Sequence, residues 1–400
     1  MDPALSQIIE RIRGAAAKGG LLRIRGGGTK DFYGEPPRGE PLDTRALAGI
    51  VAYEPSELVV TVRAGTPLAE LEALLAEHGQ CLPFEPPRFG VHDAAGAAGG
   101  MAGATAGAAR TVAGDTTGNM AGGTVGGMVA AGLSGPSRAS VGAVRDYVLG
   151  ATVVNGRGEL LSFGGTVMKN VAGYDVSRLF AGSLGALGLI AEVSLKVLPR
   201  APAEATIEFA CSQADALRLL NEWGGRPLPL DASVWRERAG AGVLSLRLRG
   251  AAAAVEAACA HLGGERQGPA RTDAGWQSLR DQRHPWFTSA PSTHALWRLS
   301  LPQTAAPLEL PGAPPLIEWH GGQRWYFAAP GEGARLREAA HAAGGHASLF
   351  RAAPDGDGGA APALARFDAL SPALERIHRT LLREFDPVPV FDRNRLLPSP

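Results

Sequence analysis

Between Ala181 and Pro199 the chain reads AGSLGALGLIAEVSLKVLP, and this stretch limits the possible folds more than any other. Gly182, Gly185 and Gly188 recur every third residue. From Leu187 to Val197 every second residue is apolar, with Glu192, Ser194 and Lys196 between them. Period two with one polar face predicts an antiparallel strand with one wet side, and Pro199 closes it. A short helix, Asp175–Phe180, is expected before the glycines. A dinucleotide turn of the Rossmann kind needs the opposite order, with the strand first and the helix after G-x-G-x-x-G, so that the pyrophosphate meets a helix N-terminus. That reading is excluded. A P-loop needs G-x-x-x-x-G-K-[ST]; the nearest match, GGGTK (Gly26–Lys30), lacks the spacing and the hydroxyl residue after the lysine.

One nucleotide grammar remains, in which several glycine-rich loops of an α+β domain offer backbone N–H groups to phosphate with no side chain in the way. Three such loops fall in the first half: RGGGTK (Arg25–Lys30), GGTVGGMVAAGLSGPSR (Gly122–Arg138) and GSLGALGLI (Gly182–Ile190). The elements around them read as strands joined by short helices. LLRIRG (Leu21–Gly26) and ELVVTVRAG (Glu57–Gly65) are strand-like. Thr66 and Pro67 then read as N-cap and first helical position, Leu68, Leu71 and Leu75 as the inner face, and Gly79 as the end. Val148–Val154, NGRG and Glu159–Phe163 form a hairpin signal.

After Arg200 the pattern changes. Strands at Ala205–Ala210, Ala232–Trp235, Gly242–Leu248 and Ala295–Pro302 interleave with helices at Gln213–Trp223 and Ala252–Leu262, the split order of a ferredoxin-like layer. Strands at Leu316–Trp319 and Arg324–Phe327, a helix at Gly333–Ala343, the strand HASLFR (His346–Arg351) and a last helix, Ala363–Glu384, complete the chain. The expected division is residues 1–200, 201–362 and 363–400, with the last part returning to the first.

Composition sets outer limits. Lys+Arg and Asp+Glu are both 39, so the net charge is zero and no basic footprint for nucleic acid exists. The three cysteines, Cys81, Cys211 and Cys259, are far apart, which argues against a disulfide framework or a cysteine-ligated iron–sulfur cluster within the chain. No apolar run is long enough for a membrane span, and the charged amphipathic N-terminus lacks the apolar centre of a signal peptide, so a cytoplasmic protein is expected. Of 54 glycines, many crowd between Ala94 and Gly135. The Ala/Gly run Gly96–Gly122, within an insert at about 91–122, is too poor in large apolar groups to offset its ordering entropy and is expected to be a mobile surface loop.

Five stretches carry a family resemblance: IRGGGTK, LPFEPP (Leu82–Pro87), TVGGMVAAGLSGP (Thr124–Pro136), RDYVLGATVVNGRGELLSFGG (Arg145–Gly165) and VMKNVAGYDVSRLFAGSLGALGLIAEVSLKVLP (Val167–Pro199). They resemble the FAD-binding superfamily of vanillyl-alcohol oxidase and p-cresol methylhydroxylase. Within it the chain most resembles the smaller FAD-binding subunits of bacterial glycolate oxidases, through LRDQRHPWF (Leu279–Phe287), ALWRLSLP and AGGHASLFRA (Ala343–Ala352) as well. The resemblance implies an α+β fold: a two-part FAD-binding domain of the p-cresol methylhydroxylase (PCMH) type, then a ferredoxin-like antiparallel cap and a C-terminal helix. It implies that Gly26, Gly27, Gly28 and Thr29 form the first pyrophosphate loop, and that Thr124, Gly126 and Gly127, with Gly132 after them, form the second. Gly182, Ser183, Gly185, Gly188 and Ile190 would present backbone to the cofactor. Lys169, Gly173, Tyr174 and Asp175 match a neighbouring motif, and read equally as a packed turn with a helix cap at Asp175. Gly185→Val or Gly188→Val is expected to weaken flavin binding more than folding.

Departures from the family also count. Thr29 and Lys30 stand where members with covalent flavin carry a histidine, so non-covalent FAD is expected. The tail FDPVPVFDRNRL (Phe385–Leu396) has Arg393, Asn394 and Arg395 in place of a Pro-Gly turn, which puts its flavin contacts in question.

Oxidation of a 2-hydroxy acid needs a cation for the carboxylate, a base for the hydroxyl proton and a hydride acceptor. Arg298 and Arg351 are the candidate cations, and His284, His341 and His346 the candidate bases; Arg298 and His346 are preferred. His341 and His346 straddle Gly344–Gly345 and do not share a helical face, so no metal site is expected. The resemblance implies partners: a larger FAD-linked subunit with the main 2-hydroxy-acid site and an iron–sulfur subunit, an assembly through which the chain would reach the membrane surface without spanning it. The reading is then an FAD-binding redox subunit of a glycolate oxidase or dehydrogenase complex. A self-sufficient 2-hydroxy-acid dehydrogenase and a scaffold that has lost its flavin stay open as alternatives.

Overall fold

The structure, a computed structural model, describes residues 2–90, 122–166, 174–353 and 364–397. Lys169, Gly173 and the Ala/Gly run up to residue 121 lie outside the described residues. Among the described residues, nine strands precede residue 200. β1 (Leu22–Arg25) pairs in parallel with β2 (Glu40–Asp43). β3 (Ile50–Glu54), β4 (Val59–Arg63), β6 (Val148–Val154), β7 (Leu160–Gly164) and β8 (Leu189–Lys196) form an antiparallel sheet of order β3-β4-β8-β6-β7. β5 (Gln80–Cys81) and β9 (Leu198–Pro199) make a two-stranded clasp.

β8 occupies the centre of this sheet, where the period-two strand was expected. Leu189 and Ala191 join Ile8, Ile9 and Ile12 of the N-terminal helix Pro3–Lys18 in one apolar cluster. Val193 and Leu195 join Leu68, Leu71 and Leu75 of the helix Leu68–Glu77 in another. Each leucine in that face contributes about 1.5–3 kcal/mol by leaving water. The expected wet face is half covered instead. Ser194 is buried and shares a 2.8 Å hydrogen bond with Thr61, and Glu192 lies 3.9 Å from Arg63, which is itself paired with Asp2. A central strand with helices on its sheet loses its solvent side.

Two local expectations shift. The helix after β4 begins at Leu68 with Pro67 as its cap, and Thr66 does not cap it. The Thr66 hydroxyl instead accepts from the Gly49 N–H at 2.9 Å, because the loop before β3 folds over it. The helix before the glycines is a single 3-10 turn, Ser177–Phe180; Asp175 precedes it and accepts from the Ser177 hydroxyl at 2.8 Å.

The second sheet has eight strands: β10 (Ala203–Ala210), β11 (Leu230–Arg238), β12 (Ala241–Gly250), β13 (Glu265–Arg266), β14 (Ala295–Ser300), β15 (Leu316–Glu318), β16 (Gln323–Ala328) and β17 (His346–Arg351). Their order is β13-β10-β12-β11-β15-β16-β14-β17. The first four strands reproduce the ferredoxin-like order 4-1-3-2, with helices Gln213–Gly224 and Ala252–Leu262 as the crossovers. The fourth strand of that unit is the two-residue β13. Ala295–Ser300, expected in that role, opens a second set, β15-β16-β14-β17, whose order 2-3-1-4 mirrors the first. β11 and β15 join the sets through two register pairs, Val234↔Glu318 and Trp235↔Ile317.

A shared core ties this sheet to the first half: Tyr33, Phe89, Ala131 and Leu133 pack with Val234, Trp276, Leu296, Trp325 and Phe350. The last helix is Pro372–Phe385, and starts nine residues later than expected, because Ser371 and Pro372 supply cap and first position. It returns to the first half, where Leu382 is buried and Phe385 packs on Phe163 and Phe180.

Candidate functional site

The three glycine loops line one cavity. Gly26, Gly27, Gly28, Thr29, Thr124, Gly126, Gly127, Gly185, Gly188 and Ile190 all face it. Backbone hydrogen bonds hold the loops together. The Val125 and Gly126 N–H groups donate to the carbonyls of Thr66 and Ala64 at 2.9 and 2.8 Å, fastening the second loop to the end of β4. The Gly182 and Leu184 N–H groups donate to the carbonyls of Val129 and Ala130 at 3.0 and 2.9 Å, fastening the third loop to the helix Val125–Ala131.

The cradle has no room for ordinary side chains. A Cβ on Gly26 would stand 2.3 Å from the Thr124 hydroxyl, and one on Gly126 would stand 2.5 Å from the Ala64 Cβ. Gly185 and Gly188 have φ of +79° and +147°, and a Cβ on Gly188 would meet the Val154 carbonyl at 2.8 Å. Valine at either position therefore strains the backbone directly. Either variant is therefore expected to lower stability as well as flavin binding.

Cations face the same cavity. Lys30 donates to the Gly122 carbonyl at 3.1 Å; burial pushes its ammonium down to about 8, so it stays largely charged at neutral pH. Arg25 is paired with Asp31 at 2.8 Å. Arg395 also lines the cavity and donates to the carbonyls of Asp31 (3.0 Å) and Tyr33. The tail thus returns to the cradle through Arg395, a residue whose sequence neighbours gave no such signal. Backbone without side chains, ringed by Lys30, Arg25 and Arg395, fits a pyrophosphate.

Gly132 and Gly182 line a second, wider cavity of about 640 Å³, which shares Ala131 and Leu184 with the first. Ser183 lines neither: it is buried, and its hydroxyl donates to the Phe180 carbonyl at 2.9 Å. Arg298 of β14 and His346 of β17 face this second cavity together, although 48 residues separate them. Adjacent antiparallel strands bring them together: Arg298 stands opposite Ser348 and His346 opposite Ser300. The Arg298 guanidinium donates to the Tyr33 hydroxyl at 3.0 Å and lies 5.7 and 5.6 Å from the Tyr33 and Phe350 rings. Its Nε is buried without a hydrogen-bond partner. His346 is exposed, but partial desolvation and the Arg298 charge, opposed by Asp368, lower its pKa below the ordinary value, so the imidazole is neutral at pH 7 and able to accept a proton.

The other candidates go elsewhere. Arg351 packs on Phe32 at 4.3 Å and donates to Gln282. His284 accepts from the Trp286 N–H, and His341 is bonded to Asp368 at 2.7 Å. Tyr174 is exposed, at 95%. Tyr33, Arg138 and Trp319, which line the second cavity, were not anticipated.

The FAD binding domain family matches residues 5–123. Fold, cradle and family together define an FAD-dependent flavoprotein with a PCMH-type architecture. Over 391 residues, 97% of the chain and 96% of the relative, it is 41% identical to glycolate oxidase subunit GlcE of Escherichia coli (strain K12). The chain belongs to the family of that subunit, as an FAD-dependent oxidoreductase subunit. A shorter stretch of 75 residues, 19% of the chain and 16% of the relative, is 41% identical to glycolate oxidase subunit GlcD of Bacillus subtilis (strain 168). Alkyldihydroxyacetonephosphate synthase shares the fold, with a TM-score of 0.59 at 15% identity over 96% of this chain and 74% of that one. Among the described residues no helix is long and apolar enough to cross a membrane.

Proposed function

We propose that this chain is the FAD-binding redox subunit of a glycolate oxidase complex, in which glycolate becomes glyoxylate and the electrons pass to an iron–sulfur partner. The observation that carries the reading is the glycine cradle ringed by Lys30, Arg25 and Arg395, in a chain that aligns with a glycolate oxidase subunit over 97% of its length. The division of the chain at about residues 200 and 362, the larger FAD-linked partner subunit and attachment to the membrane surface through the complex belong to the same reading.

The roles follow from chemistry. Gly26–Thr29, Thr124–Gly127 and Gly185–Ile190 would hold the pyrophosphate side of FAD, without a covalent bond. When bound, FAD supplies the two-electron acceptor for the carbon–hydrogen bond that breaks. Arg298 orients the carboxylate through its guanidinium, which Tyr33 holds by Nη2. His346 takes the hydroxyl proton as a neutral base.

Anaerobic mixing with glycolate, followed by flavin absorbance, tests the reading. The flavin of this chain is expected to bleach when the partner subunits are present and to stay oxidised in the isolated chain. Bleaching of the isolated chain would establish the self-sufficient dehydrogenase instead, a reading that the complete Arg298–His346 pair favours.

A further inference from the structure

Three side chains lining the wider cavity are basic, Arg138, Arg298 and His346, and among its described lining residues none is acidic. Arg298 and His346 come from the eight-stranded sheet. Arg138 comes from the other half of the molecule, on the short helix Arg138–Val141 that follows the second glycine loop. Both guanidiniums line the cavity; partial desolvation lowers the Arg138 pKa, the nearby Arg298 charge lowers it further, and Asp146 offsets part of this.

Arg138 is aimed by an unusual turn. Trp319 and His320, between β15 and β16, both have left-handed backbones, with φ of +53° and +54°. Each such residue without glycine's freedom costs of the order of 1–3 kcal/mol and persists only where its surroundings over-determine it. Here they do. The Trp319 indole donates to the Gly135 carbonyl at 3.0 Å, and its ring lies 4.4 Å from the Arg138 guanidinium carbon. The His320 N–H donates to the Ser233 hydroxyl at 3.0 Å, its Nδ1 shares a 2.9 Å bond with the same hydroxyl, and its Nε2 faces the Ser140 hydroxyl at 3.1 Å. The turn thus grips the chain on both sides of Arg138, at residues 135 and 140, and lays an aromatic face against the guanidinium between them.

We propose that Arg138 is a second carboxylate-binding residue of the substrate site, opposing Arg298, and that the Trp319–His320 turn positions it. The ligand class is a small carboxylate such as a 2-hydroxy acid, held between arginines contributed by the two halves of the chain. The inference rests on the function proposed above. It explains why strain is placed at the turn that grips the end of the second glycine loop, and why the described residues lining the cavity include three basic side chains and no acidic one.

The test is binding of oxalate, a carboxylate that cannot be oxidised in this way, to the flavin-loaded full chain. Calorimetry and the shift of the flavin spectrum are the readouts, with uncharged glycolamide as the control. Arg138→Gln is expected to weaken oxalate at least tenfold with flavin content and melting temperature unchanged, and Arg138→Lys to recover part of the loss. Trp319→Leu is expected to weaken oxalate in the same direction, because the guanidinium loses its support. Oxalate binding by Arg138→Gln equal to wild type, with Arg298→Gln impaired, overturns the role of Arg138 and leaves the proposed function standing. Failure of the wild-type chain to bind oxalate, or equal binding of glycolamide, overturns both.

Discussion

Replacing Gly127 by alanine separates cofactor binding from folding. Gly127 is the third residue of the helix Val125–Ala131, and its N–H donates to the Thr124 hydroxyl at 3.2 Å. A Cβ built there meets one atom within 4 Å, that same hydroxyl oxygen at 3.1 Å. In a helix, alanine is favoured over glycine by about 0.5–1 kcal/mol, and a shift of a few tenths of an ångström in Thr124 offsets part of that gain. The stability of the flavin-free protein is therefore expected to hold or rise slightly. The methyl group points where the cradle must let a phosphate approach its backbone. Displacing the phosphate far enough to lose one charge-assisted hydrogen bond in the cradle costs about 1.5–3 kcal/mol, or roughly 10- to 100-fold in Kd. Gly126→Ala, one residue away, is the contrast: its Cβ would lie 2.5 Å from the Ala64 Cβ and 3.0 Å from the Ala64 carbonyl, an overpacking worth about 1–3 kcal/mol of stability. The measurements are FAD affinity by fluorescence quenching on reconstitution and thermal melting of both flavin-free variants. Melting must be compared without flavin, because bound ligand raises the folded state's stability by mass action. If Gly127→Ala binds FAD as tightly as wild type, or loses it only in step with its own stability, the cradle argument is wrong.

Acid denaturation of purified holoprotein is expected to release all the flavin into the supernatant; colour left on the precipitated chain would contradict non-covalent binding. Burial pushes the His320 imidazole down to about 4, from an ordinary 6.5. The unfolded chain takes up that proton first, so stability falls as pH drops from about 6.5 toward 4, by on the order of 2–3 kcal/mol. His320→Asn tolerates the left-handed backbone and is expected to flatten that part of the urea-midpoint profile; an unchanged acid limb would assign the loss to other groups. Glu318 shows the opposite sign. Burial raises its carboxyl to about 7, and it accepts from the Trp325 indole at 2.7 Å and the Gln323 amide at 3.1 Å. The folded state holds this proton longer, so stability is lost as pH rises from about 4.5 to 7. Glu318→Gln keeps the acceptor and is expected to stabilise the protein by about 1–3 kcal/mol at pH 8 and little at pH 4, read from denaturant midpoints.

Much of this architecture is legible in the chain because it is written in local periods. β8 and the face Leu68, Leu71 and Leu75 follow from alternation and helical spacing, and the glycine loops fall between such elements. The errors arise where a local signal is overruled from a distance. Thr66 has the chemistry of a cap but is taken by Gly49, and β13 is too short to carry any period, so the longer β14 is misread as the fourth strand. The cradle residues were legible through family resemblance; Gly182 and Gly132 belong to the adjoining cavity, and Ser183 to a turn. Arg298 and His346 were reachable by asking which chemistry the reaction needs. Tyr33, Arg138, Trp319 and Arg395 were not, because each reaches its cavity only through the packing of the two halves, and no spacing encodes that.

The mirrored halves of the eight-stranded sheet have a mechanical consequence. Within each half, neighbouring strands share up to eight register pairs, as β10 and β12 do, whereas the halves share two. Strand pairing is thin at this seam between β11 and β15. Arg298, His346 and Trp319 all lie on one side of it, so they travel as one plate. The turn between β15 and β16 fastens that plate where strand pairing is thin: His320 bonds to Ser233 across the seam, and Trp319 and His320 bond to Gly135 and Ser140 of the first half of the chain.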